Sequence, residues 1–143
     1  MTPFDRQVRA QIYRLFVDGV RLVDTETIAA SRGWDTGEVE NSLTRLAEER
    51  RVSLVDDSHQ LRMAHPFSGV DTGYRSVVGD TTWNANCAWD ALAILALMGD
   101  GRAYAPGPGG DLVWTVEDGE VSPDGFVHFL VPAARFWDDI GFT

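Results

Sequence analysis

Apolar residues recur at helical spacing from the first turn of the chain. Phe4, Val8, Ile12, Leu15 and Phe16 form one stripe, which predicts an amphipathic helix over about residues 3–18 that stops at Gly19. Asp24 is a good N-cap for the short helix-forming run 25–30, and Gly33 ends it. Asp35 or Thr36 caps a third helix, whose buried stripe is Val39, Leu43, Leu46 and Ala47. Beyond Glu48-Glu49-Arg50-Arg51 the helical period is lost. Residues 52–55 and 59–63 read as two strands joined by the turn Asp56-Asp57-Ser58.

The second half is patterned differently. His65-Pro66-Phe67-Ser68-Gly69 reads as a linker, since Pro66 lacks a donor and disfavours helix before it. Residues 74–78 predict a strand ending at Gly79-Asp80. The run from Ala91 to Met98 is rich in helix formers and predicts a buried helix closed by Gly99, with Asn84 or Asn86 as its cap. Ala105-Pro106-Gly107-Pro108-Gly109-Gly110 reads as a turn-rich loop, too irregular for a phosphate-binding motif. Residues 112–116 predict a strand, 117–120 a hairpin turn, and Val121 a short return. Residues 126–131 alternate as another strand, and 133–137 start a short helix. The whole reads as α+β: a winged-helix-like helical module over residues 1–64, then, over 65–143, a small mixed or antiparallel sheet packed on a central helix.

Charge sharpens this division. The net charge is −10, and all twelve basic residues are arginine. Residues 1–64 carry nine arginines against eleven acids, whereas residues 65–143 carry three against eleven. An acidic second half is a poor match for phosphate backbones. The third helix offers Glu38, Glu40, Glu48 and Glu49 against Arg45 and Arg50, and so lacks the cationic and amide side chains that DNA readers set against phosphates and base edges. No nucleic-acid partner is expected, and a packing or lid role for this module is the plainer reading. No apolar run reaches the roughly 18 residues of a membrane span. The first six residues hold no apolar signal core, and a lone cysteine forms no internal disulfide. A soluble protein of the reducing cytoplasm is expected.

Candidate chemistry gathers at Cys87, the only cysteine, with Asp90 three residues later. Both fall in the first turn of the predicted helix and on one face. The unpaired N–H groups and the helix dipole favour a thiolate there, while an ionised Asp90 opposes it. The plainer alternative makes Cys87 a small buried apolar residue and Asp90 a residue suited to a helix N-terminus. His59, His65 and His128 show no paired metal spacing, and one cysteine cannot complete a structural zinc site. His128 on its predicted strand reads as structural, while the role of His65 is left open. Trp83, Trp89 and Trp114 are candidates to wall an apolar pocket, with ordinary core packing as the alternative for each.

Asn86-Cys87-Ala88-Trp89-Asp90-Ala91-Leu92, followed by a small-apolar helix and Gly99, resembles the active-site segment of the alkylmercury (organomercurial) lyases. The helical module and the junction Met63-Ala64-His65-Pro66-Phe67-Ser68 look like that family's N-terminal domain and its junction. Strands 112–116 and 126–131 look like its core sheet. The resemblance implies that Cys87 binds the mercury of a small organomercurial and that Asp90 shuttles a proton to the leaving carbon. Trp83 and Trp89 would stand beside the substrate. A soft thiolate suits so soft a metal, and no organic cofactor is implied. The family also uses a second, downstream cysteine, which this sequence lacks; against that pattern it looks shortened at its C-terminus. The missing ligand is then expected from a low-molecular-weight thiol, or from Cys87 of a second copy in a homodimer. Two alternatives stand beside this reading. One is a non-catalytic relative that senses a thiophilic metal or ligand, binding DNA only if Arg9, Arg45, Arg50 and Arg51 converge. The other is a thiol enzyme with a different substrate.

Overall fold

Three helices open the chain, each starting on a side-chain cap that the sequence supplies. In the computed structural model, which describes residues 1–140, α1 (Pro3–Val17) begins at Thr2. The Thr2 hydroxyl accepts from the Asp5 N–H, and the Asp5 carboxylate accepts from the Thr2 N–H. Asp24 caps α2 (Thr25–Arg32) through the Thr27 N–H, and Asp35 caps α3 (Thr36–Glu48) through the Glu38 N–H. Gly33 ends α2 in the left-handed region, at φ 65°. Val8, Ile12, Ile28, Val39, Leu43 and Leu46 are fully buried.

Asp5 is buried with them. Its Oδ1 accepts from Ser42 Oγ at 2.8 Å and from Arg45 Nη2 at 2.6 Å, both on α3. The Arg45 guanidinium holds the Asp5 carboxyl well below the usual carboxylate range, outweighing the opposing push of burial. The start of α1 is thereby pinned to α3.

β1 (Ser53–Leu54) and β2 (Leu61–Ala64) form the expected hairpin, and β3 (Phe67–Ser68) turns back antiparallel on β2. Residues 65–69 are therefore a tight turn and a strand, not a linker. Burial decides this: the Phe67 ring is 1% exposed and stacks on Phe16 at 5.5 Å.

The second sheet is antiparallel, in the order β5-β4-β6-β7-β8. Its strands are β4 (Arg75–Val78), β5 (Thr81–Asn84), β6 (Gly101–Gly107), β7 (Gly110–Glu117) and β8 (Glu120–Ser122). Between β5 and β6 runs α4 (Ala88–Met98), which packs on β4 and β6. Ala91, Ile94 and Leu95 are its buried residues beside Asp90, and Ser76 Oγ on β4 donates to the Ala91 carbonyl at 2.7 Å. At Gly101 a Cβ would lie 2.2 Å from the Val77 carbonyl oxygen and 3.2 Å from Leu95, so the close start of β6 beneath α4 requires glycine. The fold is thus α+β, with an antiparallel sheet carrying a central helix.

The sheet contains β5 and the start of β6, which the sequence pattern does not predict, and it differs from the expectation in two further places. Residues 105–107 continue β6 and pair with β7, Pro106 opposite Asp111. Proline is tolerated because the β4 pairing ends at Tyr104, so Pro106 lies where β6 has lost its neighbour on one side. Residues 126–131 form no strand. The alternation is there, but Pro123, which has no N–H to donate, follows β8 directly, and Phe126 and Leu130 are left exposed. The short helix after them is a 3-10 turn, Ala133–Asp138. The turn 117–120 is as expected, with Asp118 and Gly119 both at positive φ, 52° and 78°.

One continuous core joins the two halves. Phe67 bridges antiparallel to Ala85, and the buried Trp83 of β5 donates its Nε1 to the Phe16 carbonyl at 2.7 Å. No helix among the described residues is long and apolar enough to cross a membrane.

Candidate active site

The stretch between β5 and α4 is fixed from both sides. Ala85 N–H donates to the Tyr74 carbonyl at 2.9 Å, and the Thr72 hydroxyl donates to the Ala85 carbonyl. Asn86 then reaches across to the β2–β3 turn, its Nδ2 donating to the Pro66 carbonyl at 3.0 Å. Neither Asn84 nor Asn86 caps α4. Cys87 itself is the N-cap residue, with extended backbone (φ −154°, ψ 179°) and no side-chain capping bond. Asp90 sits one turn on, within the first turn of α4.

Cys87 is half-buried, and the N–H groups of Asp90 and Trp89 face its sulfur without closing a capping bond. Burial pushes the thiol up from its ordinary value, and the Asp90 carboxylate adds to that push. The two N–H groups pull the other way and lose. This reverses the expectation of a thiolate favoured by the helix start: desolvation outweighs the local dipoles, and at neutral pH the free group is a thiol.

Asp90 is almost wholly buried, its side chain 6% exposed. Each carboxylate oxygen has its own donor: Asn86 Nδ2 lies 2.9 Å from Oδ2, and His65 Nδ1 lies 3.0 Å from Oδ1. His65 stands in the β2–β3 turn, where Tyr13 Oη on α1 donates to its carbonyl at 3.1 Å. The Asp90 hydrogen bond raises the His65 pKa above 6.5, against the opposing pull of partial burial.

These groups open on a cavity of about 750 Å³, lined by His65, Asn86, Cys87, Trp89 and Asp90 and by Phe129, Phe136 and Trp137 from the C-terminal segment. Phe129 and Phe136 pack ring against ring at 5.6 Å. The segment expected as a strand thus contributes aromatic wall instead. Among the described residues no three His, Cys, Asp or Glu side chains converge on a metal position; Cys87 is the cavity's single thiol, and Met63 lines the cavity beside it.

Of the residues singled out in the sequence, Cys87, Asp90 and Trp89 meet at this cavity. Trp83 does not: it is buried against the end of α1 and held by its bond to Phe16. Trp114 is likewise absent from the lining, and His128 lies exposed in the segment after β8. His59 pairs with Glu40 at 3.9 Å, away from the thiol. The arginines Arg9, Arg45, Arg50 and Arg51 form no free cationic set, since Asp5 engages Arg45 and Glu49 lies 3.8 Å from Arg51. His65 and Asn86 are the site residues whose roles spacing missed. Both act over twenty or so residues of sequence, through a turn that reads as linker; the only local hint was the polar Asn-Cys-x-x-Asp grouping.

No protein-family model matches the sequence, and no curated protein is similar to it. Among solved structures, the fold is similar to a crystal structure of the mercury-bound form of MerB2, with a TM-score of 0.64 at 22% identity. The match covers 87% of this chain and 62% of that one, so this chain spans less than two thirds of its neighbour's length. The likeness is one of fold.

Proposed function

We propose that this protein is organomercurial-lyase-like, with Cys87 as the mercury ligand and Asp90 as the acid that protonates carbon. One observation carries the reading: a lone thiol and a buried carboxyl, one helical turn apart, share an aromatic-walled cavity. The fold of a protein solved with mercury bound, and the resemblance of residues 86–92 to the alkylmercury lyases, support it.

The chemistry balances without an organic cofactor. A substrate R–Hg–SR′ exchanges its thiolate for Cys87, whose proton leaves on R′SH, forming the Cys87 S–Hg bond. Asp90 then delivers a proton to carbon; the Hg–C electron pair goes to the new C–H bond, and R–H departs. An external thiol R′SH gives its sulfur to the mercury and its proton back to the protein. A second R′SH releases Hg(SR′)₂ and restores the Cys87 thiol. External thiol stands in for the second cysteine that the family supplies; a second copy of the chain presenting its own Cys87 is the alternative source. A thiol that must stay reduced suits a cytoplasmic setting.

The test is benzene release from a phenylmercury compound in excess thiol. Release by the wild type and none by Cys87→Ser is expected. The second reading, a non-catalytic carrier or sensor, draws on the cavity's single thiol and on the burial that pushes its pKa up. Stoichiometric mercury binding at Cys87 without benzene release would establish it instead.

A further inference from the structure

Asp90 has little access to bulk water, with a side chain 6% exposed and both oxygens taken by donors. A group that gives a proton to carbon in every cycle must also regain one. Its partner on Oδ2, the Asn86 amide, does not titrate near neutral pH and cannot supply that proton. Its partner on Oδ1 can. An imidazole changes charge in the physiological range, and the His65 side chain is 66% exposed, so its outer edge meets solvent while Nδ1 meets Asp90.

We propose that His65 is the positioning and proton-relay residue of this site, taking up a proton at its exposed ring edge and passing it through Nδ1 to Asp90. The proposal rests on the lyase-like reading. The His65–Asp90 pair holds one more proton before cleavage than after it, that proton having gone to the carbon leaving mercury. The pair is refilled from water, or from the external thiol as its sulfur binds the metal. The pair is held in register from three sides: Asn86 fixes the other carboxylate oxygen, Tyr13 fixes the His65 backbone, and the buried Phe67 anchors the turn. The other titratable side chains around the cavity are Arg62 on β2, Asp71 and Tyr74 before β4, and Cys87 at the head of α4.

The experiment compares wild type, His65→Asn and His65→Ala in steady-state benzene release from phenylmercury with excess thiol, beside mercury-binding stoichiometry. The His65→Asn amide can still donate to Oδ1 but carries no titrating proton. It should bind one mercury, keep KM within about twofold and lose about a hundredfold in kcat, the low end for a lost proton transfer. Imidazole added to His65→Ala should restore turnover. The wild-type kcat should fall as pH rises through the raised His65 pKa, and that limb should vanish in His65→Asn. Wild-type kcat in His65→Asn would overturn the relay and leave His65 as a hydrogen-bond donor only. A wild type that binds mercury but releases no benzene would overturn the lyase-like reading and the relay with it. That failure is visible before any His65 variant is measured.

Discussion

Two aspartates occupy the same position in two helices, in opposite surroundings. Asp5 and Asp90 are each the third residue of a helix, in α1 and α4, and both are buried. Asp5 closes a capping box with Thr2 and is saturated by Ser42 and Arg45, so nothing about it is free to react. Asp90 follows an N-cap that makes no capping bond, is held by a neutral amide and a titratable ring, and faces a cavity. Position in a helix does not make a carboxylate structural or chemical. The charge state and exchangeability of its partners do.

The sharpest way to break this contrast is at the site. Cys87→Ser should lose mercury binding and at least about a hundredfold of benzene release, as expected when a nucleophile is removed. Asp90→Asn should keep the metal and lose about 10²–10⁴-fold in release, the range of a general acid. Equal loss of metal binding in both variants would make Asp90 a packing residue like Asp5.

Next comes stability. Asp5→Asn should cost about 1–3 kcal/mol in urea unfolding and leave activity per folded molecule unchanged. Arg45 is 41% exposed and water screens its share, so the cost comes mainly from the buried bond to Ser42 and the half-buried one to the Thr2 N–H.

The two regions should also weaken at opposite ends of the pH scale. The folded Asp5 pKa is depressed, so its stabilisation is complete above the unfolded value of 3.8 and lost as pH falls below it. The folded His65 pKa is raised, so its contribution is complete below 6.5 and lost as pH rises through the raised value. Unfolding midpoints across pH should show Asp5→Asn flattening the acid limb and His65→Asn the alkaline one. The smallest effects concern the caps. Thr2→Ala should cost about 1 kcal/mol, whereas Cys87→Ser, which places a good capping hydroxyl on α4, should raise stability by a few tenths of a kcal/mol while removing function.

What the sequence made legible were features written within a few residues. Asp24, Asp35 and Gly33 mark helix ends by their own backbone chemistry, and Cys87 with Asp90 stands out by identity and spacing. What stayed hidden depended on distant partners. The His65–Asp90 pair exists because Phe67 is buried on α1, which no local pattern around Pro66 reports. β6 was masked by Pro106 and Gly107, tolerable because its pairing with β4 ends at Tyr104. The alternation at 126–131 is an accurate record of apolar side chains, yet Phe129 serves a cavity wall, since Pro123 closes the ladder first. Trp83 misled for the same reason: its neighbour in sequence is the site, while its neighbour in space is α1.

The Trp83 indole ties the helical half to the second sheet. With Nε1 bonded to the Phe16 carbonyl and Phe67 stacked on the Phe16 ring, the end of α1 is stitched to both sheets. Loosening the helical half would leave a buried donor orphaned and an aromatic stack open, so neither half can melt at leisure. Calorimetry should record one cooperative transition, with tryptophan fluorescence changing in step with the loss of helix.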